Sequence, residues 1–286
     1  LLGHHFSSIA GAGPIVGPIM AGLLFGWLPT LLWILLGSIL IGGVHDYTTL
    51  IASVRNKGRS VADLCRTTMS PLAYKLFLAF IWLTLVYILT VFADMTAGTF
   101  AQSGEVASSS GLFILLAVLF GIALYRFKWP VGWASLLFVP LVFGAVGAGL
   151  AWPLALPASL SAAQAQRVWY LLLIVYCFGA STLPVWLLLQ PRDYLSSFLL
   201  YAALLGGFVG VVFSAAPLQY PALVAWEAPG LGALVPFLFI TVACGACSGF
   251  HGIVGSGTTS KQLDQERDAR FVGYGAMLIE GVLALI

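Results

Sequence analysis

Charge is scarce in this sequence: Asp, Glu, Lys and Arg make up 8% of 286 residues, against roughly 25% in a soluble globular domain. Ten acidic and twelve basic side chains cannot clothe such a chain in a polar surface, which excludes a water-soluble enzyme or binding module. Also absent is the ten-residue apolar/polar alternation of a transmembrane β-strand, since the apolar runs are about 20 residues long. Backbone groups facing lipid must then be satisfied inside helices. The basic residues form no contiguous block, so nucleic acid is not expected as a partner. Cysteines are few, and Cys177, Cys244 and Cys247 lie in apolar stretches. No second C-x-x-C pair accompanies Cys244 and Cys247, so neither a disulfide framework nor a metal site is expected, and no cofactor.

The expected fold class is therefore an all-α polytopic membrane protein with about nine transmembrane segments. The first, roughly residues 3–27, is interrupted by Gly11, Gly13, Pro14, Gly17 and Pro18 and reads as a broken helix. Segments at about 30–54, 74–101, 107–126, 131–151, 168–189 and 196–216 follow; an eighth at 231–257 is again Gly-rich, and a ninth starts near Phe271. Pro184 is expected to kink the sixth. Leu1 stands where a start Met would be and the last run stops at Ile286, so the chain reads as a fragment truncated at both ends, forming one transmembrane domain over 1–286.

Lys and Arg collect in cytoplasmic loops. Every one of them except Arg167 follows the second, fourth, sixth or eighth segment, which places those loops in the cytoplasm and Glu105 outside. The polar stretch 55–70 reads as a short interfacial helix or loop, and Trp129, Trp133, Trp152, Trp169, Trp186 and Trp226 as anchors at the headgroup level.

With this parity the two Gly-rich segments run in opposite directions, and they share a pattern: Ile9-Ala10-Gly11-Ala12-Gly13 and Ile253-Val254-Gly255-Ser256-Gly257. Broken helices at corresponding positions of inverted repeats point to a transporter's midplane site. Substrate-binding candidates are accordingly Gly11, Gly13, Gly17, Ser256, Gly257, Thr258 and Thr259, with breaks at Gly13 and Gly257 freeing N–H groups for a substrate carboxylate.

Ionisable residues at membrane depth are expensive and carry function by default. Asp46, nine residues before Arg55, lies about 13 Å deep at the helical rise. Glu280 lies at similar depth in the last segment and could share a cavity with it. Gly42, Asp46, Thr49 and Ser53 fall on one face of the second segment; Thr84, Tyr87, Thr90 or Val91, Asp94 and Gly98 do so on the third, so both acids are expected to face the bundle. Candidates for carrying a coupling proton are His5, His45, Asp46, Asp94 and His251. Arg192 and Asp193, at a helix boundary, are candidates for a gate. A rival reading makes His4, His5, His45 and His251 metal or haem ligands of a membrane enzyme or electron carrier.

Several blocks carry a resemblance: Gly3-His4-His5-Phe6 through Gly13-Pro14, Val44-His45-Asp46-Tyr47, Leu189 through Leu195, and the run Phe239 through Thr259 with Asp268-Ala269-Arg270 and Gly273-Tyr274-Gly275. In these the chain resembles the carbon starvation protein A family, along essentially its whole length. The resemblance implies a multi-pass carrier of the bacterial inner membrane, similar to the amino-acid, polyamine and organocation superfamily. It further implies uptake of peptides or pyruvate under carbon limitation, coupled to a proton or another cation, with the lipid bilayer as its setting. Family members are longer, with helices before and after this stretch.

Overall fold

The computed structural model describes residues 1–157, 159–214, 217–228, 230 and 232–286. Helices α1 (Leu2–Ile9), α2 (Gly13–Phe25), α3 (Trp27–Leu36), α4 (Gly43–Arg55) and α5 (Val61–Thr68) open the chain. Then come α6 (Pro71–Gln102), α7 (Gly104–Tyr125), α8 (Val131–Ala151), α9 (Ala162–Thr182) and α10 (Leu189–Phe213). The chain closes with α11 (Leu234–Thr241), α12 (Ala243–Ala246), α13 (Gly249–Gly257) and α14 (Gly275–Leu285). Two compact units result: Leu1–Tyr74 with Leu200–Ile286, and Lys75–Leu199.

This is a multi-pass all-α membrane protein. Five helical stretches are long and apolar enough to cross a bilayer, namely Trp27–Arg55, α6, α7, α8 and α10, and α1 with α2 makes a sixth that is bent by 50°. Trp27–Arg55 joins α3 to α4 through π-helical backbone at Gly37–Gly42. The other expected segments are shorter or broken. The eighth is divided into α11, α12 and α13, and α14 with its preceding π-helical turn runs only from Arg270 to Leu285. Residues 215–216, expected to end the seventh segment, and 231, expected to open the eighth, lie outside the described residues.

The sixth segment departs from expectation. α9 ends at Thr182, before Pro184, and Leu183 is extended at ψ 147°, because the residue preceding proline is pushed out of the α region. The next helix therefore begins at Leu189, not 196, and Arg192 and Asp193 sit in its opening turns.

In the unit built on Lys75–Leu199, the core is Ala117, Phe120, Ala134, Phe138, Val142 and Leu195, where α7 lies along α8. Trp169, expected as an anchor at the headgroup level, is buried edge-on against Phe100. In the other unit, Ala21, Phe25, Ile34, Leu234, Leu238 and Val242 pack α2 and α3 against α11. The polar stretch after α4 contains α5, whose N-terminus is capped by the Ser60 hydroxyl accepting from Asp63 N–H.

That stretch is clasped to the end of α13: Val61 N–H donates to Ser256 Oγ at 3.1 Å, and Ser53 Oγ donates to the carbonyls of Arg59 and Ser256. The loops after α4 and after α13 thus lie together, as the basic residues in both require. Cysteines introduced at positions 59 and 261 should both resist an impermeant thiol reagent applied to the periplasm of intact cells and label only when the cytoplasmic face is opened. Periplasmic labelling of either one would overturn the orientation.

Candidate functional site

α1 packs on α13, whereas α2 packs on α12 and α11, so the first broken segment runs antiparallel to the eighth. The break in the first lies at Ala10–Ala12, and Gly13 opens α2. The eighth breaks at Val242 and again at Cys247 and Ser248, both extended. It does not break at Gly257. Helix α13 runs through Gly255 and Gly257, so the residues there stand at its C-terminal end, where carbonyls rather than N–H groups are presented, and that of Ser256 accepts from Ser53 Oγ and Ser260 Oγ. N-terminal helix ends are instead those of α2 and α13, but Pro14 has no N–H, Ile15 and Val16 donate to the carbonyl of Ala12, and His251 N–H donates to that of Ser248.

The small residues mostly serve close approach. A Cβ on Gly13 would lie 2.8 Å from the side chain of Cys244, and one on Gly17 would collide with the carbonyl oxygen of Thr241. Both glycines therefore seat α2 on the broken eighth segment, and the two breaks lie side by side. Gly11 lies inside the first break. Ser256 is buried and committed to the clasp with Val61, Thr258 caps α13, and Thr259 Oγ1 is 2.8 Å from His5 Nδ1.

Two features of local structure bring the acids together. The π-helical turn at Gly37–Gly42, wider than an α-turn, immediately precedes His45 and Asp46 on α4. The extended residues Cys247 and Ser248 then restart the chain so that His251 falls in the first turn of α13. Gly273 completes the approach, since a Cβ there would lie 3.1 Å from Tyr47 Cα.

The result is a buried row of acid and base. Asp46 Oδ1 is 2.9 Å from Nδ1 of the half-buried His45, and Asp46 Oδ2 is 2.8 Å from His251 Nδ1. On the far side of the same imidazole, His251 Nε2 lies 3.2 Å from Glu280 Oε2, at ion-pair distance but off the line of a hydrogen bond. Relative exposures are 3% for Asp46, 1% for His251 and 0% for Glu280. His5 is equally buried, with Nε2 unpaired. In a medium of low dielectric such groups interact strongly and tolerate no idle charge.

The remaining candidates lie elsewhere. Asp94 does not face a packed interior: it is exposed on α6, accepts from Gln166 Nε2 at 3.0 Å, and borders a cavity of about 450 Å³ with Thr90, Arg167 and Tyr170. Its polar stripe belongs to a helix that buries little of its surface. Arg192 Nη2 donates to Asp193 Oδ1 at 2.8 Å, a pair between chain neighbours in the same unit as Asp94. The four histidines of the rival reading do not converge as a ligand set. Among the described residues, the group of metal-capable side chains that does meet is Cys244, His251 and Glu280, with donor atoms within 4.8 Å of one another. His251 Nε2 there lies 3.2 Å from Glu280 Oε2.

The family described as "Carbon starvation protein CstA" matches residues 1–286. The peptide transporter CstA of Campylobacter jejuni is 39% identical over 299 residues, an alignment covering 100% of this chain and 41% of that protein. The pyruvate/proton symporter BtsT of Escherichia coli is 39% identical over 298 residues, covering 100% and 40%. The peptide transporter CstA of Escherichia coli is 40% identical over 295 residues, covering 100% and 41%. The chain therefore spans less than half the length of the curated relatives it matches. No solved structure matches it.

Proposed function

The chain belongs to the carbon starvation protein CstA family, and we propose that it forms part of a secondary active transporter of the bacterial inner membrane that takes up peptides or pyruvate with a proton. Relatives named as peptide transporters and as a pyruvate/proton symporter support that substrate class, a small molecule bearing a carboxylate. The observation that carries the reading is the contact of Asp46 with His45 and His251 at the junction of two broken segments. A carboxyl flanked by two imidazoles, buried at membrane depth, is suited to take up and release a proton.

In this reading the substrate carboxylate meets the N-terminal turns of α2 and α13, with Gly11 and Gly13 leaving room at the first break. Thr258 and Thr259 close the far end of α13, and His5, paired with Thr259, stands in reserve as a second proton acceptor. Asp94 serves an outer vestibule with Arg167, and Arg192 with Asp193 a gate. The antiparallel course of the two broken segments is what inverted repeats would produce, so we assign them to corresponding positions of two halves. Counting every expected segment gives about nine spans in a single transport domain, completed by parts of the protein outside this chain.

The full-length parent, reconstituted in vesicles with an inward proton gradient, should accumulate labelled pyruvate or a labelled dipeptide. Excess of the true substrate should compete, and a protonophore should reduce accumulation to the equilibrium level. Accumulation indifferent to the protonophore would overturn proton coupling; uptake of neither compound would overturn the substrate class.

A further inference from the structure

Glu280 has no part in the function proposed above, yet it is the most deeply enclosed ionisable side chain of the row. It reaches the site on α14, a helix packed against α1, α2, α3 and α4. Its contacts differ in kind from those of Asp46. Both oxygens of Asp46 meet an imidazole nitrogen, whereas neither Glu280 oxygen has a hydrogen-bond partner, Oε2 lying 3.2 Å from the ring nitrogen. A permanent structural carboxylate would be expected to collect donors on both oxygens when fully buried. A proton on Oε2 removes the unsupported charge and sets an O–H 3.2 Å from His251 Nε2, which has no hydrogen-bond partner.

We infer that Glu280 is a second proton-carrying carboxyl, exchanging a proton with Asp46 through the two ring nitrogens of His251. The inference rests on the reading of the protein as a proton-coupled carrier. The step balances without any other reactant. Glu280 gives its proton to His251 Nε2 as the O–H bond breaks and an N–H bond forms. The proton on Nδ1 leaves for Asp46 Oδ2. Glu280 ends as carboxylate, Asp46 as the neutral acid, and the imidazole as its other neutral tautomer, with total charge unchanged. Both transfers cover hydrogen-bonding or near-hydrogen-bonding distances, 3.2 and 2.8 Å. Because the two carboxyls lie on α14 and α4, and the ring on α13, relative movement of these elements would make or break the path.

The surrounding titratable groups are accounted for. His45 holds the other oxygen of Asp46, and His5 faces Thr259. Cys244 offers a sulfur beside Nε2 but donates toward Ser248 Oγ. Arg55 is paired with Glu266, and Tyr274 donates to the carbonyl of Ile39. Arg270 lines a separate pocket with Arg267 and Phe271. Cys247, in the break, lies beside the ring's helix.

The test uses the full-length protein in proteoliposomes, with uptake measured across pH. Glu280→Gln should lose the pH dependence of substrate accumulation and its slowing in deuterium oxide, because an amide of the same shape cannot pass a proton. A Glu280→Gln protein with the wild-type pH profile and isotope effect overturns the relay. Should that variant fail to fold, infrared difference spectra of the wild type and of Asp46→Asn decide the matter. A protonated-carboxyl band that titrates and persists in Asp46→Asn supports Glu280 as the second carrier; its absence overturns the inference. Failure of the transporter reading itself is distinguishable, since it would show as wild-type accumulation insensitive to a protonophore, with the infrared result standing apart.

Discussion

Asp46→Asn in the full-length parent should abolish uphill accumulation, bringing internal substrate down to the equilibrium level, while exchange of labelled for unlabelled substrate continues. The amide has nearly the shape of the carboxyl, and its oxygen and NH2 group can each meet one of the two flanking imidazoles, His45 and His251. The pocket is therefore kept and only the exchangeable proton is removed. A purely structural Asp46 predicts something different: Asn retains most of that hydrogen bonding, so proton-driven accumulation would survive. Normal accumulation by Asp46→Asn sinks the coupling role, and an unfolded variant is recognised beforehand by its loss of a monodisperse detergent-solubilised peak.

Asp46 was legible in the sequence because an acid in the middle of an apolar run is rare for an energetic reason. Its depth and its face of the helix both followed from the helical period, and Gly42, Asp46 and Ser53 are all buried. The same logic misled at Asp94. A polar stripe on α6 resembles one on α4, but periodicity tells only which residues share a face, and what that face meets depends on tertiary packing. The position of the second break was also hidden. Ala243 through Gly249 is a run of small residues that helical and extended backbone accommodate alike, and the close approach of Gly13, Gly17 and Gly42 from other elements is what fixes the geometry there. The Gly-rich motif at Gly255–Gly257 looked more like a break than the true one, yet glycine lowers helical preference by only about 1 kcal/mol relative to alanine and α13 runs through it. Glu280 was visible as an acid at the same depth as Asp46. That both would meet one imidazole from opposite sides was beyond any spacing rule, because three separate elements supply the parts, with Asp46 over 200 residues before His251.

His251→Leu carries the second large expectation, this time on stability. Removing the ring strips Asp46 of one of its two imidazole contacts and Glu280 of its closest polar contact, leaving two acids in a site with 3% and 0% exposure. Breaking a buried charge set by deleting one partner typically costs about 3–5 kcal/mol, since the desolvation of what remains is no longer offset. Thermal unfolding of purified protein should accordingly fall sharply. Replacing both stranded acids in the same background, Asp46→Asn with Glu280→Gln, should recover much of the loss, because the one carboxylate charge the row holds is what the leucine leaves unsupported. The recovery separates two accounts of the row. If the three side chains form one charge-balanced unit, the triple variant is far more stable than the sum of single effects predicts, and the coupling energy exceeds the roughly 0.3–0.5 kcal/mol scatter expected of independent sites. If the effects simply add, the imidazole was filling space, the two carboxyls do not communicate through it, and both the pairing of Asp46 with His251 and the passage of a proton to Glu280 lose their physical basis.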